Sequence, residues 1–245
     1  MPCIRIIEVL PTPDDLFRAA AEEFVRAGRA AIAEQGRFTV ALSGGSTPRS
    51  LYSLLAKDHA DFPWSQTFLF FGDERHVPPD HPESNYRMVK ESLLTKVPIP
   101  TGNVFRVQAE MPDPVAAAAD YEKQLRRFFE LRPNEFPSFD LILLGLGADG
   151  HTPSLFPGSD GLKEQSRLVI ANWVDKFKAH RLTFTFPVLN NAKDVMFLVS
   201  GEGKSEMASL ILEGKNTPPF PAQQIDPKNR LAWMLDKAAA ARLSN

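Results

Sequence analysis

Short apolar runs alternate along the chain with segments in which apolar and polar residues recur at helical spacing. The runs at 38–42, 67–71, 141–144 and 195–199 predict buried strands, because parallel strands are covered on both faces. Strands that alternate with helices of roughly ten residues or more indicate βαβ units. The pattern therefore predicts an α/β fold with a doubly wound, mostly parallel sheet and helices on both faces.

The first helix has clear signals at both ends. Thr12 can cap its N-terminus, Pro13 suits the first helical position, and Asp14 and Asp15 complement the positive end of the helix dipole. Gly36 is placed to end it. Further helices are predicted near 84–94, over 113–131, where apolar residues include Ala116, Leu125 and Phe129, and over 236–243.

The chain carries no repeat, low-complexity segment or convincing linker, so we expect a single domain over residues 1–245. A net charge of −2 gives no reason to expect nucleic acid or an anionic membrane as a partner. The one cysteine, Cys3, excludes an intramolecular disulfide framework. No secretory pattern and no membrane-spanning run is present, which predicts a cytoplasmic globular protein. The sequence leaves the oligomeric state open.

Polar loops that contain glycine follow four of the predicted strands, at 43–48, 72–76, 145–151 and 200–204. The carboxyl ends of the strands in an open parallel sheet meet at one edge, and ligands bind there. We therefore expect residues of these loops to form one site.

The loop after the second strand has the features of an anion cradle. Glycines let backbone N–H groups converge, hydroxyls add donors, and a helix begins at the end of the loop with its positive end towards it. The residues concerned are Ser43, Gly44, Gly45, Ser46 and Thr47. The loop lacks the Gly-Lys-Ser/Thr of a nucleotide-binding loop, which favours a monophosphate. A plain strand-to-helix turn explains the same residues equally well.

The loop at 145–150 matches the Gly-x-Gly-x-x-Gly pattern of dinucleotide sites. We reject that function because Asp149 would place a negative charge beside a pyrophosphate. An unperturbed histidine is largely neutral near pH 7, so His151 is a candidate general base that Asp149 could orient. The alternative is a histidine that only satisfies hydrogen bonds in a buried loop.

Further charged candidates are Asp73 and Arg75 after the third strand, Arg181 at the start of a later strand, and Lys204 at the start of a helix. The arginines and the lysine could bind a phosphate or a developing oxyanion. Each could equally be an ion-paired or solvated charge. The histidines and aspartates within 73–81 match no standard metal spacing, so we predict no metal site.

Taken together, six segments resemble the 6-phosphogluconolactonase family, in order and over most of the chain. They are ALSGGSTPRSLY (41–52), FFGDERHVPPDHPESNY (70–86), LILLGLGADGHTPSLFPG (141–158), RLTFTFPVLNNA (181–192), SGEGKSEM (200–207) and WMLDKAAA (233–240).

The resemblance implies the α/β fold that this family shares with sugar-phosphate isomerases and glucosamine-6-phosphate deaminases. It implies hydrolysis of 6-phospho-D-glucono-1,5-lactone in the oxidative pentose phosphate pathway, with no metal or organic cofactor. By position, His151 resembles the family's general base, and Arg75 resembles the arginine that steadies the substrate. The loop 43–47, with Arg181 and Lys204, resembles the phosphate and substrate site.

Two other functions compete with the lactonase. Glucosamine-6-phosphate deaminases have a similar Asp-Gly-His loop but place a carboxylate five residues after the histidine, where this chain has Phe156. Their Asp-Glu-Tyr pattern is Asp-Glu-Arg here. A non-catalytic sugar-phosphate sensor is disfavoured because both His151 and Arg75 are present. One departure from the lactonase pattern is Pro153, where alanine is usual, and it removes no side-chain chemistry.

Overall fold

The computed structural model describes residues 3–214 and 216–244. Its main feature is a seven-stranded sheet in which every pair of neighbouring strands is parallel. From one edge to the other, the strands are β1 (Ile4–Leu10), β10 (Arg230–Asp236), β9 (Asp194–Val199), β6 (Leu141–Gly145), β2 (Phe38–Leu42), β3 (Thr67–Phe71) and β5 (Val104–Phe105).

The strand order reverses direction once, between β2 and β6. From β2 the chain proceeds through β3 to β5 at one edge, then returns to β6 on the other side of β2 and continues outward to β9 and β10. This reversal is a topological switch point, where the loops that leave two adjacent strands diverge and open a crevice. The predicted doubly wound, mostly parallel α/β fold is confirmed.

In the described part of the chain, six α-helices connect the strands. They are α1 (Pro13–Gln35), α2 (Ser46–Asp58), α3 (Asn85–Val89), α4 (Pro114–Phe128), α5 (Phe186–Asn190) and α6 (Ser205–Leu212). The first begins and ends as predicted, since the Thr12 side chain accepts from the backbone N–H of Asp15 at 3.2 Å and Gly36 adopts a left-handed φ of 76°. One π-helical turn, Lys90–Leu94, extends α3.

A second, smaller sheet is antiparallel. It contains β4 (Asp73–Arg75), β8 (Ala179–Phe184) and β7 (Val169–Val174), in that order. The sequence pattern predicts strands near the positions of β7 and β8 but not this separate sheet, and it treats 73–75 as a loop. The sheet packs under α4, which contacts both β7 and β8.

The core lies on both sides of the main sheet. All five residues of β2 are buried, as are Leu141–Leu144 of β6, which explains the continuous apolar runs in the sequence. The buried hydroxyl of Tyr121 on α4 accepts from the backbone N–H of Phe71 at 2.8 Å and donates to the carbonyl of Phe105 at 3.2 Å. This contact fixes α4 against β3 and β5.

The predicted helix over 236–243 is wrong, because residues 237–243 form turns. The Asp236 carboxylate accepts from the backbone N–H of Ala239 at 2.7 Å, and the hydrogen bonds that follow mix spacings of three and four residues. A local side-chain bond of this kind competes with a regular helix. The single domain over 1–245 stays a prediction. Within the described ranges, no helix is both long and apolar enough to cross a bilayer.

Candidate active site

A pocket of about 240 Å³ lies at the carboxyl edge of the main sheet, over the switch point. The loops that follow the four adjacent strands β9, β6, β2 and β3 surround it. Its lining residues are Ser43, Gly44, Gly45, Asp73, Arg75, Asn85, Gly145, Leu146, Gly147, Ala148, His151, Pro153 and Lys204. The four predicted loops therefore meet as expected.

His151 and Asp149 form a hydrogen-bonded pair in the loop after β6, through the imidazole Nδ1 and the carboxylate Oδ1. Burial alone would raise the pKa of Asp149, but the hydrogen bonds and charge of His151, with the charge of Lys176, hold it below its usual value. Because an ionised carboxylate only accepts, the Nδ1 of His151 carries the proton. The lone pair of a neutral imidazole then lies on Nε2.

Close packing fixes the His151 ring. The ring of Phe156 stacks on it, with a centroid distance of 4.0 Å and an interplanar angle of 25°. Gly147 lies so close to the same ring that a β-carbon on it would collide with Nδ1. The Thr152 hydroxyl donates to the carbonyl of Gly145 at 2.8 Å and closes the turn. Gly147 therefore makes room for the histidine.

Asp73 is buried and joins three parts of the pocket. Its carboxylate accepts a hydrogen bond from the hydroxyl of Ser154, in the loop after β6. The Asn85 amide at the start of α3 donates to the carboxylate at 3.2 Å and to the Asp73 carbonyl at 3.0 Å. The same amide lies directly over Gly44, where a β-carbon would collide with it. Asp73 thus ties β4 to the loops after β2 and β6.

Glu74 organises the return of the chain from β4 to α3. Its carboxylate accepts from the backbone N–H groups of Arg75, Asn85 and Tyr86, at distances of 2.8, 2.7 and 2.8 Å. Burial raises the pKa of Glu74, and these backbone hydrogen bonds act against that effect. The carboxylate caps the start of α3, where N–H groups lack helical partners. As a result, Asn85 faces the pocket.

Positive charge gathers on one side of the pocket. Arg75 and Lys204 line it, and neither forms an ion pair with a carboxylate within the described part of the chain. Arg181 lies directly opposite Arg75 across the β4–β8 pair. Burial, and then the charge of Arg75, lower the pKa of Arg181. Two adjacent guanidinium groups favour the approach of an anion.

The loop after β2 presents a hydroxyl without a partner. The backbone N–H and carbonyl of Ser43 both bond to the hydroxyl of Tyr52, at 3.1 and 2.9 Å. Its own side-chain oxygen is buried and has no hydrogen-bond partner among the described residues. A buried polar group in this state indicates a site that a ligand or water satisfies. The helix α2 begins at Ser46 and not at Thr47, and these two residues lie in its first turn, outside the pocket lining.

The predicted residues thus divide into three groups. Ser43, Gly44, Gly45, Asp73, Arg75, His151 and Lys204 line the pocket, Asp149 and Arg181 stand behind lining residues, and Ser46 and Thr47 lie outside. The sequence reasoning did not select Asn85, Ser154 or Lys176. Each lies outside the four glycine loops that carried the prediction, and each reaches the site through a tertiary contact.

The arrangement suits proton transfer beside an anionic group. It combines an oriented imidazole, adjacent cations and a buried hydroxyl donor in one cavity. Within residues 3–214 and 216–244, no group of three or more histidine, cysteine, aspartate or glutamate side chains is placed to hold a metal ion. The described residues therefore offer acid–base and hydrogen-bonding chemistry at this edge of the sheet.

Comparison with known proteins gives a consistent result. A family model described as "Glucosamine-6-phosphate isomerases/6-phosphogluconolactonase" matches residues 11–233. The chain is 40% identical over 241 residues to a 6-phosphogluconolactonase of Nostoc sp., covering 98% of this chain and 99% of that protein. It is 39% identical over 253 residues to the 6-phosphogluconolactonase of Bos taurus, covering 99% and 95%. Among solved structures, the 6-phosphogluconolactonase of Trypanosoma brucei superposes with a TM-score of 0.88 at 31% identity, covering 98% and 99%.

Proposed function

The chain belongs to the family of glucosamine-6-phosphate isomerases and 6-phosphogluconolactonases, and we propose that it hydrolyses 6-phospho-D-glucono-1,5-lactone to 6-phospho-D-gluconate. The reaction is a step of the pentose phosphate pathway, and the enzyme is a hydrolase that acts on a sugar-phosphate lactone. The relatives with this activity in their names align over nearly the whole chain. A cytoplasmic location, independence of metal and cofactor, and the absence of a nucleic-acid partner stay predictions.

His151 acts as the general base in this proposal. Asp149 holds Nδ1, so Nε2 is the nitrogen that accepts a proton from water as the water attacks the lactone carbonyl. The imidazolium then returns that proton to the ring oxygen as the acyl–oxygen bond breaks. One water molecule is consumed. The products are a free hydroxyl group and a carboxylic acid, which releases its proton to solvent and becomes the carboxylate.

The cations bind and stabilise negative charge. Lys204 and Arg75 line the pocket with Ser43, and Arg181 adds a second guanidinium beside Arg75. The 6-phosphate binds to the Ser43 loop and these basic groups, which places C1 of the lactone near His151. Arg75 or nearby backbone N–H groups stabilise the tetrahedral oxyanion.

The observation that carries this function is the position of His151, which Asp149 orients and which lines the same pocket as the cations. The Ser43 hydroxyl, which has no partner among the described residues, belongs to the same pocket. A deaminase of this family would need a carboxylate where Phe156 stands. Here the Phe156 ring, largely buried, stacks on His151 and fills that position with an apolar group. The site therefore favours hydrolysis.

Replacing His151 by alanine tests the base. The δ-lactone also opens spontaneously, so hydrolysis of freshly generated substrate is followed with the uncatalysed rate subtracted. We expect H151A to lose roughly 10²- to 10⁴-fold in kcat, the usual contribution of general-base catalysis. KM should change much less, since the phosphate-binding groups remain.

His180 provides a matched control. It lies on β8, where its ring contacts Trp173, and it does not line the pocket. H180A should keep the wild-type rate. A full rate in H151A would refute the assignment of the base, whereas deamination of glucosamine 6-phosphate by the wild type would refute the function.

A further inference from the structure

The hairpin between β7 and β8 reaches the catalytic pair from outside the four glycine loops. Lys176, in its turn, places Nζ at 3.4 Å from Oδ2 of Asp149. The other oxygen of that carboxylate, Oδ1, bonds to His151. The Asp149 carboxylate is therefore held between an imidazole on one side and an ammonium group on the other.

The next residue of the turn supports the imidazole. Phe177 packs edge-on against Phe156, with ring centroids 5.9 Å apart and an interplanar angle of 77°. Phe156 in turn stacks on His151. Of these two consecutive hairpin residues, Lys176 contacts Asp149 directly. Phe177 contacts His151 only indirectly, through the ring of Phe156.

We propose that Lys176 is a positioning residue that sets the orientation and basicity of the His151–Asp149 pair. This inference rests on the proposed role of His151 as general base. Lys176 fixes the rotation of the Asp149 carboxylate, so that Oδ1 stays aligned with Nδ1. It also offsets part of the negative charge that would otherwise favour the protonated imidazole.

Several charged groups face the pair. Asp73 and Arg75 on β4 and Lys204 at the start of α6 share the pocket with His151, and Arg181 on β8 lies beyond the ring of Phe177. Among the described residues, two basic groups lie within ion-pair distance of the Asp149 carboxylate: the imidazole of His151 and the ammonium group of Lys176. Removal of Lys176 leaves the other charges in place and takes away, besides the pairing with Asp149, the contact of its ammonium group with the Phe177 ring, at 5.7 Å from the ring centroid.

The electrostatic consequence has a definite sign. Without Lys176 the Asp149 charge acts on the imidazole without compensation, because a nearby positive charge is lost. Loss of this one charge favours the imidazolium, which cannot act as a base. The fall of kcat/KM at acid pH should then begin at a higher pH. The lysine side chain is 61% exposed, so water and salt screen the effect and keep it small.

The test compares pH profiles of kcat/KM for K176Q, K176R and K178Q, between pH 5.5 and 8 and with the spontaneous rate subtracted at each pH. Lys178 lies in the same turn but pairs with Asp175, so K178Q removes the same charge without touching Asp149. For K176Q we expect the acid midpoint to rise by about 0.3 to 0.5 pH unit and kcat to fall about two- to fivefold. K176R should restore the wild-type profile, and K178Q should match it.

An unchanged midpoint in K176Q would overturn the inference, as would an equal shift in K178Q. A rise in KM alone would also overturn it, because that result would place Lys176 on the substrate. If the wild-type protein does not hydrolyse the lactone, the proposed function itself fails. That outcome is visible before any variant is measured, so the two failures are distinguishable.

Discussion

Replacing Gly147 by alanine adds one methyl group directly against the imidazole of His151. A β-carbon built on Gly147 comes to 2.7 Å from Cγ of the ring and still closer to Nδ1 and Cε1, whereas ordinary contacts begin at 3.4 Å. Because Nδ1, the closest atom, sets the displacement, the ring or the loop must move by more than about 1 Å to restore an ordinary contact. The backbone does not prevent the substitution, because the φ of Gly147 lies outside the left-handed region.

We expect the movement to lower the reaction rate, because Asp149 and Phe156 hold the ring in its present position. Displacing the imidazole weakens its hydrogen bond to Asp149 and its stacking on Phe156, and it shifts Nε2 relative to the lactone carbonyl. A misplacement on the order of 1 Å costs about 10²-fold in rate. We therefore expect G147A to lose about 10²-fold in kcat/KM, or about 2.7 kcal/mol of transition-state stabilisation.

The assay follows lactone hydrolysis by G147A beside G203A, with thermal unfolding of both. Gly203 lies near the same edge of the sheet but outside the pocket lining, and nothing stands within 4 Å of a β-carbon built there. G203A should keep wild-type kinetics. The reasoning is refuted if G147A is folded and retains activity within about threefold of wild type, or if G203A loses as much.

Two further predictions concern the support of Lys204 and the stability of the fold. Asp236 accepts from the backbone N–H of Gly201 at 3.0 Å and so holds the turn that leads to Lys204. We therefore expect D236N to raise KM for the lactone about five- to tenfold, with a smaller effect on kcat. Initial-rate kinetics measure both constants. The pKa of Glu164 is lowered to about 2 from its usual 4.5, since hydrogen bonds from the backbone and side chains of 166–167 outweigh its burial. A carboxyl group whose pKa is lowered by folding stabilises the fold at pH values above its pKa in the unfolded state. E164Q should therefore lower the free energy of unfolding by about 1 to 3 kcal/mol at pH 7, as measured by urea denaturation. The difference from wild type should shrink as the pH falls from 4.5 towards 2.

The main sheet could be predicted closely because its signals are local. The strands β2 and β3 have the bounds that their apolar runs indicate, and α1 has its capping residues within a few positions of each end. The edge position of the loops also follows from sequence, since parallel strands place their carboxyl ends together. For this reason the sequence alone indicates His151 and Asp149 as candidate site residues.

The small antiparallel sheet could not be predicted in the same way. The strand β4 has three polar residues, and it becomes a strand only because β8, far along the chain, pairs with it. No local pattern encodes that pairing. Asn85 and Lys176 depend on the same long-range contacts, the first through Glu74 and the second through the β7–β8 hairpin.

The candidate active site lies where the two sheets meet, and each sheet contributes different groups to it. The parallel sheet supplies the proposed base and the proposed anion-binding loop, whereas the antiparallel sheet supplies Arg75 and the hairpin that contacts Asp149. Their relative position is fixed by a buried link, in which Ser154 of one donates to Asp73 of the other. Because interiors are close-packed, a change at this link moves the arginine relative to the histidine. We therefore expect the Ser154–Asp73 hydrogen bond to control the distance between His151, the proposed base, and Arg75, a proposed oxyanion donor.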